Sequence, residues 1–466
     1  MRWYRVFAWM TLSAMAGCGS VHNLPQNVPL SGVDAQYANP NAGRADPHAV
    51  DNDNLLVELS FSGGGMRAAA FSYGALTAFD QTQLPARYGG GPLIDRVDFV
   101  SGVSGGSIPA AYFGLKKRAM LADFQENFLL QNPEEALNTK VNLANLGRGL
   151  SGGVNEDTRL SGWLNEHLFK GATFAALRAG RPRVWINASD IYNRTPFVFG
   201  ETAFNALCSD LNAYPVADAV AASAAVPVAF APIVIESYGE NCTRPLPPWV
   251  EKALRNPSSP PMLRSFVQGI SRYRDGSMKY VKLLDGGLVD NYGLSGFTIA
   301  RLSADRPYEP LSPQQAVKIR RALFLLVDAG RGPSENNWIN QLEGPKGAAL
   351  VAAAADTAID ASVRSSYTAF QQITSDWQRQ LIAWRCSLPP AERARLGVKP
   401  GWNCRDLKFF VDRVDFGQFQ GERFKALNSV PTRFTLPPEQ IQLLVDSGQE
   451  AVRTSPTFRA FLSSLK

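Results

Sequence analysis

Histidine is nearly missing from this chain: there are three in 466 residues. His22 and His48 stand close to the N-terminus and His167 falls in a helical segment far from any strand end, so a site built on an imidazole has little to draw on. The strand-to-helix loop Ser62-Gly63-Gly64-Gly65-Met66-Arg67 has neither the Gly-x-Gly-x-x-Gly dinucleotide spacing nor the Walker pattern, which excludes the common nucleotide loops there. No Cys-x-x-Cys or paired-histidine spacing offers zinc a ligand set; no metal and no cofactor are implied. The net charge of +6 is not gathered into a Lys/Arg tract, so nucleic acid is not an expected partner. Nor does the uncharged run Ala219 to Ile235 reach the ~20 residues of a membrane span, and Pro227 and Pro232 break it.

At 45% hydrophobic and 19% charged, the chain can bury a large core. Arg2 and Arg5 precede the short apolar run Val6 to Ala16, the makeup of a signal peptide over residues 1–17. The run ends in Met15-Ala16-Gly17-Cys18, which resembles the lipobox of bacterial lipoproteins. That resemblance implies an exported protein lipidated at Cys18 and held to a membrane by its N-terminal lipid. By the same resemblance, Gly19 after the cysteine implies sorting to the outer membrane, facing the periplasm or the cell surface. Residues 18–52, rich in Asn, Pro, Gly and Asp, read as a tether. The other four cysteines are an even number in an exported chain and predict two disulfides. Three connectivities are open; pairing near neighbours gives Cys208–Cys242 and Cys386–Cys404.

The body is organised around Val97-Asp98-Phe99-Val100-Ser101-Gly102-Val103-Ser104-Gly105-Gly106-Ser107. A strand-type run ends in Gly-x-Ser-x-Gly and a helix follows, the order of a nucleophile elbow with Ser104 as its serine. Gly149-Leu150-Ser151-Gly152-Gly153 has the same spacing but follows a polar, glycine-containing segment, which makes Ser151 a loop serine. Upstream, the buried strand Leu55 to Phe61 runs into Ser62-Gly63-Gly64-Gly65-Met66-Arg67 and then a helix. Consecutive glycines expose consecutive N–H groups, a device suited to one oxyanion.

Two strands end in acids, Tyr280 to Leu284 before Asp285-Gly286-Gly287 and Ala322 to Val327 before Asp328-Ala329-Gly330, and the two aspartates are rivals. Further strands are expected at Arg183 to Ser189, Pro196 to Phe199, Ile233 to Ile235 and Leu407 to Phe416, and helices at Val216 to Ala225, Pro437 to Val452 and Pro456 to Leu465. Residues 236–278 read as a surface insertion. A helix over 346–385 carries an apolar stripe, Ile359, Val363, Tyr367, Phe370, Ile373, Trp377, Leu381 and Trp384, which fits either a lid or a helix docked on the core.

No histidine follows Asp285, so the usual Ser–acid–His order fails and a Ser–Asp pair is the economical alternative. The glycine run, the elbow and Asp285-Gly286-Gly287, in this order and each at a strand end, resemble the three blocks of the patatin-like phospholipases; Ala222 to Pro227 is similar to a further segment of that family. The resemblance covers Leu55 to Asp328. It implies a three-layer α/β/α sandwich with a mostly parallel central sheet, a catalytic domain over 53–330 and a helical C-terminal extension over 331–466. It also implies a lipid acyl hydrolase of the phospholipase A or lysophospholipase type acting on membrane phospholipid or lysophospholipid. By motif position Ser104 is the nucleophile and Asp285 the base, with Gly63, Gly64, Gly65, Arg67 and Gly105 forming the oxyanion hole. Ala68 departs from the glycine usual in the family. The same acyl-serine serves an acyltransferase, and a catalytically silent surface lipoprotein is the third reading.

Overall fold

The computed structural model describes residues 23–30, 54–137, 157–227, 230–332 and 340–466. The signal segment, Cys18 and Ser151 lie outside the described residues.

Among the described residues eight strands form one sheet: β1 Leu55–Phe61, β2 Phe99–Val103, β3 Arg183–Asp190, β4 Thr195–Val198, β5 Ile233–Glu236, β6 Tyr280–Asp285, β7 Arg321–Val327 and β8 Lys408–Val414. Strands β3, β2, β1, β7 and β8 pair in parallel, while β4, β5 and β6 join antiparallel. The central strands are short and largely apolar because both their faces are buried. Alternation then splits each strand between two cores. Val57, Leu59 and Phe61 of β1 enter one cluster with Leu323, Leu325 and Val327 of β7; Leu56 enters the other with Ala322, Phe324 and Leu326.

Helices that bear on the site are α1 Gly65–Gln81, α2 Ser107–Lys116, α3 Pro133–Leu137, α4 Val216–Ser223, α5 Pro248–Arg255, α6 Pro261–Arg274, α7 Ala348–Ser387 and α8 Pro438–Thr454. The stripe on α7 docks on the sheet: Val363, Phe370, Trp377 and Leu381 are buried with Phe297 and Phe324. The core-packing reading of that helix therefore holds. The C-terminal region is an integral part of the body, since β8 extends the sheet in register from Arg321↔Lys408 to Val327↔Val414, and α8 lies across α1.

Two expectations are corrected. Residues 236–278 are more than a surface excursion: they contain α5 and α6, and Leu263, Val267, Ile270 and Tyr273 of α6 belong to the main core. Prolines at both helix starts mark initiation rather than loop. Within the expected tether, residues 23–30 are docked. Asn27 Nδ2 donates to Glu236 O at 2.8 Å and Glu236 N–H donates to Asn27 Oδ1 at 2.9 Å, so the side chain pairs with β5 as a strand would. Leu30 N–H donates to Cys208 O at 2.8 Å and Asp210 N–H to Val28 O at 3.0 Å.

The cysteines are joined Cys208–Cys242 and Cys386–Cys404. No described helix is long and apolar enough to cross a membrane.

Candidate active site

Ser104 follows the last residue of β2 and begins a tight turn into α2, with φ of +50°. A non-glycine residue rarely adopts that conformation, and here the surroundings hold it. Its N–H donates to Ser223 Oγ at 2.8 Å, and the Ser223 hydroxyl donates to Asn187 O at 2.6 Å. Asn187 is itself fixed, its Nδ2 donating to Ser101 Oγ at 2.8 Å and to Gly102 O at 2.9 Å.

Strand register brings the carboxylate to the serine. Val103 faces Asn187 across β2 and β3, and Asp285 faces Ala188, the next residue, across β3 and β6. Ser104 Oγ donates to Asp285 Oδ2 at 2.6 Å, and Gly287 N–H donates to Oδ1 at 2.8 Å. The pair is nearly closed to solvent, Ser104 being 5% and Asp285 8% exposed. Burial pushes the Asp285 carboxyl up to about 6, against the pull of the hydrogen bonds from Ser104 and Gly287. A carboxylate raised that far accepts a proton more readily than an ordinary aspartate.

Asp328, the rival, lies elsewhere. At the end of β7 it accepts the Tyr292 hydroxyl and Gly330 N–H, at 2.6 and 2.7 Å. Nor does His167 join the site: its ring stacks on Trp163 with centroids 4.1 Å apart, and Nδ1 lies 2.9 Å from Trp163 O.

The glycine run meets the elbow backbone to backbone. A Cβ on Gly105 would stand 2.0 Å from Gly65 O, which only glycine avoids, and one on Gly63 would stand 3.4 Å from Ser104 Cβ. Not every expected donor is free. Gly63 N–H donates to Asn291 O at 3.1 Å and Met66 N–H to Arg433 O at 2.7 Å. The N–H groups of Gly64, Gly65 and Gly105 have no acceptor among the described residues; at a helix start such groups are left over by the helix itself.

Arg67 is held in place by backbone carbonyls. It is 4% exposed, and its guanidinium donates from Nε to Ala329 O at 2.8 Å and from Nη1 to Val430 O at 2.9 Å. It ties the start of α1 to two distant segments, and its Nη2 lies 3.1 Å from where a Cβ on Gly64 would stand. Ala68, fully buried in the first turn of α1, is accommodated there. Ser223, Asn187 and Asn291 carry structural duties that their sequence context did not announce; only the serine inside an alanine-rich helix was a signal. Among the described residues no group of three or more His, Cys, Asp or Glu side chains could hold a metal ion.

A mostly parallel sheet between helices, with an elbow serine at one strand end beside a buried carboxylate at another, defines a class of layered α/β proteins. Within that class the chain belongs to the patatin-like phospholipases, a family of lipid hydrolases: its family model matches residues 59–298, more than half of the chain. Among solved structures, human GIVD cytosolic phospholipase A2 matches at 11% identity and a TM-score of 0.41, over 92% of this chain and 62% of that one. VipD from Legionella pneumophila matches at 14% identity and a TM-score of 0.32, over 88% of this chain and 67% of that one. The chain thus spans less than two thirds of the human enzyme. A comparison with curated proteins found no significant match.

Proposed function

We propose that the protein is a lipid acyl hydrolase of the phospholipase A or lysophospholipase type, working through Ser104 and Asp285. The observation that carries this is the 2.6 Å hydrogen bond from Ser104 Oγ to a buried carboxylate. Ser104 Oγ attacks the ester carbonyl carbon as its proton passes to Asp285 Oδ2. The charge that forms on the carbonyl oxygen is met by the N–H groups of Gly64, Gly65 and Gly105, donors that need no reorganisation. Collapse breaks the C–O bond, and the leaving alcohol takes the proton back from Asp285. Water, deprotonated by the same carboxylate, then attacks the acyl-serine; fatty acid leaves and Ser104 regains its proton.

The lipobox-like Cys18 and the segment before it support the further proposal of an exported, membrane-anchored lipoprotein acting on phospholipid or lysophospholipid of its own membrane.

The test is release of fatty acid from mixed membrane phospholipid by purified protein. Ser104→Ala is expected to lose at least ~10³ of the rate, since the nucleophile is gone while the turn still forms. Ser151→Ala, by contrast, leaves the rate unchanged. Turnover retained by folded Ser104→Ala would sink the assignment.

A further inference from the structure

Gly65 is gripped from two sides. The elbow presses on one, where a Cβ on Gly105 would collide with Gly65 O. On the other lies a stretch from the far end of the chain: a Cβ on Gly65 would stand 2.5 Å from Arg433 O, 3.1 Å from its carbonyl carbon and 3.2 Å from its nitrogen. That stretch, Val430 to Thr435, links the helix Gly421–Ser429 to α8. It supplies Val430 O to the Arg67 guanidinium and Arg433 O to Met66 N–H.

Its outer end is fastened to α3. The Glu134 carboxylate accepts Arg433 Nη2 at 2.7 Å, Arg433 Nε at 3.3 Å and Phe434 N–H at 2.9 Å. Thr435 Oγ1 donates to Asn132 Oδ1 at 2.8 Å, and the Phe434 ring meets Phe230 edge-on at 6.2 Å.

We propose that Val430–Thr435 is a strap that sets the oxyanion loop, with Glu134 the positioning residue that latches it. By occupying Met66 N–H and pressing on Gly65, the strap fixes which N–H groups stay open toward the elbow and where they point. Misplacement of such donors by a fraction of an ångström weakens transition-state charge stabilisation, with little effect on ground-state binding. Glu134 is suited to the task because one carboxylate holds both a side chain and a backbone N–H of the strap; its side chain is 18% exposed and Arg433's 60%, so the latch sits near the surface and its removal leaves the core intact.

The inference rests on the reading of Gly64 and Gly65 as oxyanion donors. The experiment compares Glu134→Ala, Glu134→Gln and Arg433→Ala with wild type on a soluble short-chain ester, with rates normalised to folded protein by thermal melt. Removing one oxyanion donor outright costs ~10²–10³ in rate, so loosening the loop is expected to lower kcat about tenfold with KM within about twofold. Glu134→Gln keeps an acceptor for Phe434 N–H and recovers part of the loss. Labelling of Ser104 by an alkyl phosphonate, whose oxygen needs the same donors, slows in parallel. Wild-type kcat in both alanine variants overturns the strap, as does a raised KM at unchanged kcat. An active Ser104→Ala would instead overturn the site itself, whatever the latch variants do.

Discussion

Asp285 has to be ionised in a place that disfavours charge, and that conflict has two measurable consequences. The base form exists only above its raised pKa of about 6, so kcat/KM on a neutral ester is expected to rise with pH through about that value and then level off. An ionisation there is usually credited to histidine; in this chain His167→Ala leaves the profile in place, while Asp285→Asn abolishes turnover. The second consequence concerns stability. The carboxyl titrates near 3.8 when unfolded and about 6 when folded, so folding takes up a proton between these values and stability falls as pH rises through that window. The cost is absent below the lower value and complete above the upper, where it reaches ~3 kcal/mol. Asp285→Asn is therefore expected to melt higher than wild type at pH 8 and at about the same temperature at pH 3; an unchanged or lower melting temperature at pH 8 contradicts the burial argument. Ser104 and Asp285 were legible because motif and strand end coincide in the chain. The true partners of Gly63 and Arg67 were not, because Asn291, Ala329 and Val430 arrive from more than two hundred residues away.

Among elements, the crossing of α1 and α8 has the least room to adjust. A Cβ on Gly74 would stand 2.0 Å from Val445 O and one on Gly448 2.1 Å from Phe71 O, so the two backbones touch where neither residue has a side chain. Gly448→Ala is expected to cost ~1–3 kcal/mol by overpacking, read as a lower denaturation midpoint at unchanged m. Gly162→Ala is the control: a Cβ there meets nothing within 4 Å, and alanine in an exposed helix gains ~0.5–1 kcal/mol. A Gly448→Ala protein as stable as wild type would mean that the helices slide apart freely. Since α1 begins in the glycine loop, its seat on α8 also bears on the site. The strands could be read because residues buried on both faces leave unbroken apolar runs. Helix α6 was harder to read: it opens on Pro261 and carries Arg264, Arg272 and Arg274, and its buried stripe of Leu263, Val267 and Ile270 shows only at helical spacing.

At the scale of the whole molecule, the docked residues 23–30 change what an anchor at Cys18 would do. Four residues lie between Cys18 and Asn23, five backbone steps with a reach of at most ~18 Å, and Asn23 Nδ2 donates to Pro232 O at 2.9 Å and Ala231 O at 3.2 Å. Those carbonyls belong to the connection between α4 and β5. This connection begins beside the site, where Ser223 supports the elbow and Asp285 N–H donates to Ala225 O at 2.9 Å. The docking place is braced by the Cys208–Cys242 bridge, whose 34-residue separation is worth ~3–4 kcal/mol in the loop-entropy picture. An acylated Cys18 would thus hold this flank of the site close to the membrane, where a free 35-residue tether would leave the body to tumble. Composition could not reveal this, because Asn27 pairs with β5 through a side-chain amide and leaves no apolar period behind. A 20-residue Gly/Ser insertion after Gly19 is expected to lower hydrolysis of the host membrane's phospholipid severalfold, through a lower effective concentration at the surface, and to leave hydrolysis of a soluble ester unchanged. The same insertion combined with Cys18→Ser has no further effect, since nothing is then tethered. Equal membrane activity with and without the insertion, in protein recovered from the membrane fraction, would show that the docked segment does not orient the site.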